Sequence, residues 1–197
     1  MQTKQREQLA EASNVLLLGS MLDDSTKRTH NALLSQELTE RTDVLALTFQ
    51  SPGQWLRTWT GTPETHDGRI TVITLDESPY QSTQRTDDVT SITVNPADLT
   101  GIGMKVSDYL SSQVKTDAET VVCFDSITGL LQYTNQKSLF RFLRVITRRI
   151  EHVDGIAHFH LDPDAHDRKT ISTIKTPFDA IVQPDTAGGG VTVSTRY

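Results

Sequence analysis

The chain has 197 residues, a hydrophobic fraction of 36% and a formal net charge of −6, which suits one domain with a single core. The acidic balance argues against a nucleic-acid backbone as partner, and no apolar run approaches the ~20 residues that span a bilayer. Seventeen Asp against 8 Glu and only 7 Lys beside 12 Arg suit a salt-rich cytoplasm, where screening offsets self-repulsion.

Met1–Ser13 is polar and reads as an N-terminal extension, helical or disordered, ahead of a single domain over 14–197. The apolar run that follows is too short for a signal core, so a cytoplasmic location is expected. Val15–Leu18 reads as a strand, Gly19–Thr26 as a polar turn and Lys27–Thr39 as a helix with Ala32, Leu33 and Leu34 as its apolar part. Asp43–Phe49 is a second strand, and Gln54–Thr60 a short helix with Trp55, Leu56 and Trp59 on one face. Arg69–Leu75 and Thr90–Val94 are the next strands. A helical region opens at Pro96 and runs through Gln113, weakened early by Gly101 and Gly103.

Thr120–Phe124 is the central strand and holds the one cysteine, Cys123, which reads as a buried, unreactive thiol. Lys137–Ile150 is the clearest helix, with Leu139, Leu143, Ile146 and Ile150 forming a core-facing stripe. Gly155–Leu161, Phe178–Val182 and Gly190–Ser194 complete the strands, and Gly188–Gly190 reads as a turn. Strands alternating with helices predict an α/β fold, a three-layer sandwich around a mostly parallel sheet. The last two strands have no helix between them, which predicts an antiparallel C-terminal edge.

The chemistry begins at the central strand. Four apolar residues run into Asp125 and Ser126, and a buried parallel strand ending in an acid is how P-loop ATPases hold Mg²⁺ beside a nucleotide. A phosphate loop reads G-x-x-x-x-G-K-[ST]. Gly19 and Thr26 fit its first and last positions, whereas Asp24 stands at the second glycine and Ser25 at the lysine. Glycine lets backbone N–H groups wrap the anion and lysine neutralises it. Asp23 and Asp24 instead bring two carboxylates, each opposing a phosphate charge by ~1 kcal/mol or more. The plain alternative is a strand–turn–helix with Asp and Ser capping the helix.

Three segments in order, Val15–Thr26, Val44–Trp59 and Val121–Leu131, resemble the RecA/KaiC-type ATPase family. The resemblance implies a RecA-like sheet. It places the first strand before the phosphate loop, a catalytic Glu followed by Ser-Pro after the second, and Asp-Ser-[LIV]-Thr at the end of the Walker B strand. Phe49-Gln50-Ser51-Pro52 and Asp125-Ser126-Ile127-Thr128 match the last two. The resemblance thus implies nucleotide or Mg²⁺ positions at Gly19, Ser25, Thr26, Gln50, Asp125 and Ser126, with Thr26 and Asp125 facing the metal. Gln50 stands where the catalytic Glu belongs and cannot take a proton from water, so no catalytic residue is assigned. Asp125 is either an inherited Mg²⁺ position or a helix cap. More narrowly, Asp154–Asp167 is similar to a segment shared by KaiC-related proteins of salt-loving archaea.

A second cluster is His158-Phe-His160-Leu-Asp162-Pro-Asp164-Ala-His166. On a strand, His158 and His160 project to one face, and with Asp162 they form a candidate Zn²⁺ ligand set. The alternative is histidines packed in the strand and aspartates forming a turn. Arg141, Arg144, Arg148 and Arg149 give the last long helix a basic side for an acidic partner, a neighbouring subunit or RNA, with a solvated face as the plain alternative.

The sequence therefore predicts a degenerate RecA/KaiC-like protein without ATP hydrolysis, a regulatory or scaffold partner that pairs with another protein or with itself. No resident cofactor is expected: ATP with Mg²⁺ would be held weakly, and Zn²⁺ belongs to the metal reading. The alternative is a weak ATPase, or a metal-dependent enzyme using the His158–His166 cluster.

Overall fold

The computed structural model describes residues 3–37, 42–58, 68–78, 82–85, 89–114, 116–185 and 190–196. In chain order these give α1 (Thr3–Leu9), β1 (Asn14–Leu18), α2 (Asp24–Glu37), β2 (Thr42–Thr48), α3 (Pro52–Thr58), β3 (Ile70–Leu75), β4 (Thr83–Arg85) and β5 (Val89–Val94). There follow α4 (Leu99–Gln113), β6 (Glu119–Asp125), α5 (Ile127–Leu130), α6 (Gln136–Glu151), β7 (Ile156–Leu161), α7 (Arg168–Ile174), β8 (Ala180–Pro184) and β9 (Val191–Thr195). Trp59, the predicted helix end at Thr39 and the glycines Gly188 and Gly189 lie outside the described residues.

The described strands form one nine-stranded sheet in the order β4-β5-β3-β2-β6-β7-β1-β8-β9. The seven inner strands are parallel. The C-terminal edge is antiparallel as expected, through β8 and β9, and β4 adds a second antiparallel edge beside β5. The fold is thus α/β, with a mostly parallel sheet between two helical layers. β4 was not predicted because Thr-Gln-Arg is polar and fully exposed. α7 was missed because among its residues only Ile174 is buried, too little for a visible stripe.

The strands that are buried on both faces alternate between two layers. On one side Leu16, Leu18, Leu45, Leu47, Val122, Phe124, Phe159 and Leu161 meet α4, α5, α6 and α7. The predicted stripe Leu139, Leu143, Ile146 and Ile150 of α6 is fully in this core. On the other side two smaller clusters form. Val44, Ala46, Val121, Cys123, Leu34 and Trp55 make one, around β2, β6, α2 and α3. Val15, Leu17, Leu33, Ala180 and Val182 make the other, around β1, β8 and α2. α1 lies against β9, and Leu9 packs on this last cluster.

Between those two clusters runs β7, and on that face it presents His158 and His160. A polar seam therefore divides the apolar layer beneath α2. No described helix is long and apolar enough to cross a membrane.

Candidate functional site

Parallel strands end together, and the loops after β1, β2, β6 and β7 gather at one rim, the edge where α/β sheets place ligands. Gly19 follows β1, and its N–H donates to Leu161 O of β7 at 3.1 Å. α2 opens at Asp24, the position of the second glycine in a phosphate loop. Thr26 is buried in its first turn, and its Oγ1 has no hydrogen-bond partner. That hydroxyl is pressed onto the loop: a Cβ built on Gly19 would stand 2.4 Å from Thr26 Oγ1. Asp24 forms an exposed ion pair with Lys27 at 3.5 Å, and Lys27 Nζ also donates to Leu22 O at 3.4 Å. Ser25 lends its carbonyl to Thr29 Oγ1 at 2.9 Å.

At the end of β2, the Gln50 N–H donates to Thr48 Oγ1 at 3.1 Å, while its buried side-chain Oε1 has no partner. Thr48 lies opposite Asp125 in the ladder, which brings the Gln50 segment beside the end of β6. The adjoining Phe49 ring seats on Gly129, where a Cβ would meet ring carbon at 2.5 Å. The cap of α5 is made by Ser126, whose Oγ accepts from Gly129 N–H at 3.0 Å. Capping is thus not the work of Asp125. Its Oδ1 lies 3.5 Å from His160 Nδ1 on β7.

The predicted metal residues divide. His158 and His160 share the α2 face of β7 and are completely buried. Asp162 sits past the strand, where its Oδ1 accepts from Asp164 N–H at 3.0 Å and caps a single 3₁₀ turn, Pro163–Ala165. Its own N–H donates to Thr128 Oγ1 at 2.9 Å, and His166 Nε2 lies 3.1 Å from the same hydroxyl. His160 instead meets His30 of α2, ring edge to ring face, with centroids 4.4 Å apart. Cys123 of β6 completes this group: among the described residues, the ligand atoms of His30, Cys123 and His160 lie within 4.8 Å of one another.

Burial, then His160, then His158 hold the His30 imidazole well below its ordinary pKa. Burial first and Asp125 second push the Cys123 thiol far up, against a hydrogen bond from Trp55. Both groups are therefore neutral by default. Sequence reading passed over His30. Its signal was position: Thr26, His30, Leu33 and Leu34 share the buried face of α2, and a histidine in such a stripe breaks the apolar pattern.

The arginines of α6 fall into two groups rather than one. Arg141 and Arg149 border a groove against α4 with Val145 between them and Met104 opposite, both apolar side chains exposed. Arg144 and Arg148 face the other way, toward Asp179 and Arg196.

Residues 12–184 match the model of a family of unknown function, DUF7504. The chain belongs to that family. No curated protein matches the DUF7504 chain. Its fold is similar to that of two solved structures from Pyrococcus horikoshii OT3 and Pyrococcus horikoshii. One is a structural study of project PH0250, with TM-score 0.58, 8% identity, and 93% of this chain and 86% of the other covered. The second is the uncharacterized protein PH0321 in complex with an unknown peptide, with TM-score 0.57, 14% identity and coverage of 98% and 89%. A looser likeness is to the flagellar accessory protein FlaH of Methanocaldococcus jannaschii, with TM-score 0.47, 16% identity and coverage of 92% and 75%. At such identities the likeness to the two Pyrococcus proteins establishes the α/β fold of the DUF7504 chain and nothing finer.

Proposed function

We propose that this protein is a RecA/KaiC-type domain that has dropped ATP hydrolysis and works through protein contacts in a salt-rich cytoplasm. The observation that carries the reading is the loop between β1 and α2. Where a triphosphate would need a glycine and a lysine, α2 opens on Asp24, and the nearest cation, Lys27, is held on the surface by Asp24 and Leu22 O. A nucleotide does not fit these residues: its phosphates would meet the Asp24 carboxylate at the helix N-terminus, while Lys27 is paired at the surface. Gln50 adds to this, since an amide takes no proton from water.

The partner role draws on the α4–α6 groove. Arg141 and Arg149 flank exposed Met104 and Val145 on a chain whose net charge is −6. With two arginines against one acid, Asp108, this partly apolar groove on an acidic protein complements an acidic amphipathic segment of a partner protein.

Calorimetry with MgATP, and phosphate release in the same buffer, test the loss of nucleotide chemistry. We expect no binding at micromolar nucleotide and no turnover. Micromolar affinity with turnover that vanishes in Asp125→Ala would overturn the reading.

A further inference from the structure

From the seam beneath α2, we propose that His30, Cys123 and His160 bind a single buried Zn²⁺-like ion that pins α2 to β6 and β7. The proposal does not depend on the nucleotide reading, and its ligand set shares His160 with the His158–Asp162 string but takes His30 and Cys123 in place of His158 and Asp162.

Three facts converge on it. First, the donors come from three elements and meet at one point, with ligand atoms within 4.8 Å of each other. Tetrahedral zinc at its usual bond lengths sets its ligands ~3.3–3.6 Å apart, so side-chain rotations of about 1 Å close the site. Two imidazoles and a thiolate suit a borderline-soft divalent ion.

Second, the two histidines leave ring nitrogens without partners. His30 and His160 are only 7% and 1% exposed, and His30 Nδ1 and both ring nitrogens of His160 have no hydrogen-bond partner. Buried polar atoms left unpaired cost ~1–3 kcal/mol each, and such groups ask for a water or an ion. An ion supplies a partner to both rings and to the thiolate at once.

Third, the surroundings match what a metal ligand needs behind it. Asp125 Oδ1 stands 3.5 Å from His160 Nδ1 without a hydrogen bond between them, and a small approach on ion binding would make the carboxylate–histidine arrangement that orients a metal ligand. That leaves His160 Nε2 for the ion. The Trp55 side chain hydrogen-bonds to Cys123, and an indole N–H stabilises a thiolate rather than a thiol. The thiolate and the Asp125 carboxylate together cancel the two positive charges of the ion, so the buried site is neutral. Binding would release the Cys123 proton, as coordination deprotonates a thiol outright. Three protein donors leave the fourth tetrahedral position to a water, and the burial of all three donors points to a structural role.

The test uses the full chain, stripped with a chelator and titrated with Zn²⁺ against a chromophoric competitor, then with Co²⁺ as a spectroscopic probe. We expect one ion per chain, tetrahedral cobalt bands, a thiolate-to-cobalt band in the near ultraviolet and a raised unfolding midpoint. Cys123 is the one cysteine in the chain, so the thiolate band identifies it without mutagenesis. His30→Gln and Cys123→Ala, checked for folding by circular dichroism, should each weaken binding by more than the ~10–100-fold expected of Asp125→Asn. His166→Ala should leave binding unchanged. Failure to retain zinc after gel filtration, a cobalt spectrum without the thiolate band, or unchanged affinity in folded His30→Gln would each overturn the proposal. If the core variants do not fold, the cobalt spectrum of the unmodified protein decides.

Discussion

If the loop after β1 has lost phosphate binding through two side chains, restoring them should restore affinity. The double variant Asp24→Gly, Ser25→Lys recreates the full spacing from Gly19 to Thr26 without moving the start of α2. The Asp24 side chain is 83% exposed, so its repulsion of phosphate is screened by water. At about 4 Å each charge pair then costs ~1 kcal/mol, or ~2 kcal/mol against the phosphate charges within reach. A lysine's charge-assisted hydrogen bonds return ~1.5–3 kcal/mol. The gain is thus ~3–5 kcal/mol, or about 10²–10⁴-fold in affinity. Removing Asp24 also breaks its pair with Lys27, but an exposed pair contributes under ~1 kcal/mol. The assay is MgATP calorimetry at about 0.1 M salt, where the screening length is still ~10 Å. A folded double variant that binds MgATP no better than the natural chain would refute the reasoning. It would mean that the packing of Thr26 on Gly19, rather than the missing charges, closes the loop.

Other expectations follow from single contacts. Gly129→Ala drives a methyl into the Phe49 ring, 2.5 Å away at its nearest atom; we expect ~1–3 kcal/mol of destabilisation in urea titration, and an unchanged midpoint would mean that the ring shifts freely. Asn135 Oδ1 accepts from Ser138 N–H at 2.9 Å to cap α6, so Asn135→Ala should cost ~1 kcal/mol in the same assay. Burial, then Asp179, raise the Glu151 carboxyl above its ordinary pKa, against Asn14 and Arg148. The fold therefore binds that proton more tightly than the unfolded chain does, and its contribution to stability falls as pH rises from the ordinary carboxylate value through the raised one. Glu151→Gln should match the natural chain below that window and exceed it above by a few tenths of a kcal/mol, after solvent screening; equal stability at neutral pH would count against it. Charge reversal at Arg141 and Arg149 should abolish capture of an acidic partner that binds the natural chain in a salt-dependent manner, with the unfolding midpoint unmoved.

The sequence disclosed its architecture where burial is regular. β6 is apolar through Val121–Phe124, α6 carries an unbroken stripe, and alternating element types fix a parallel sheet. It hid what depends on the order of strands. His30 and Cys123 were separately visible, the first as one residue of a helix, the second as a buried thiol. That they meet follows from β7 lying between β6 and β1 in the sheet, with α2 crossing over it, and nothing local in the sequence encodes that adjacency. Asp162 shows the opposite case. It follows His160 by two residues, but the chain leaves the strand at that point and the carboxylate is used in a turn.

The altered phosphate loop and the buried histidine–cysteine cluster both bear on α2. In a nucleotide-binding domain, bound phosphate holds the N-terminus of the helix after the first strand. Here that terminus carries Asp24 in an exposed ion pair, and in the proposed reading no phosphate holds it. Thr26 in the first turn and His30 one turn further along are buried, and Leu33 and Leu34 anchor the helix to two separate apolar clusters. The gap between those clusters is where His30, Cys123 and His160 converge. An ion there would hold α2 from below, doing by coordination what the phosphate loop does from above. The chelated protein should accordingly exchange the amide hydrogens of α2 faster than the zinc-loaded protein, with α6 unaffected on the far face of the sheet. Equal protection of α2 in both forms would separate ion binding from any role in fixing the helix.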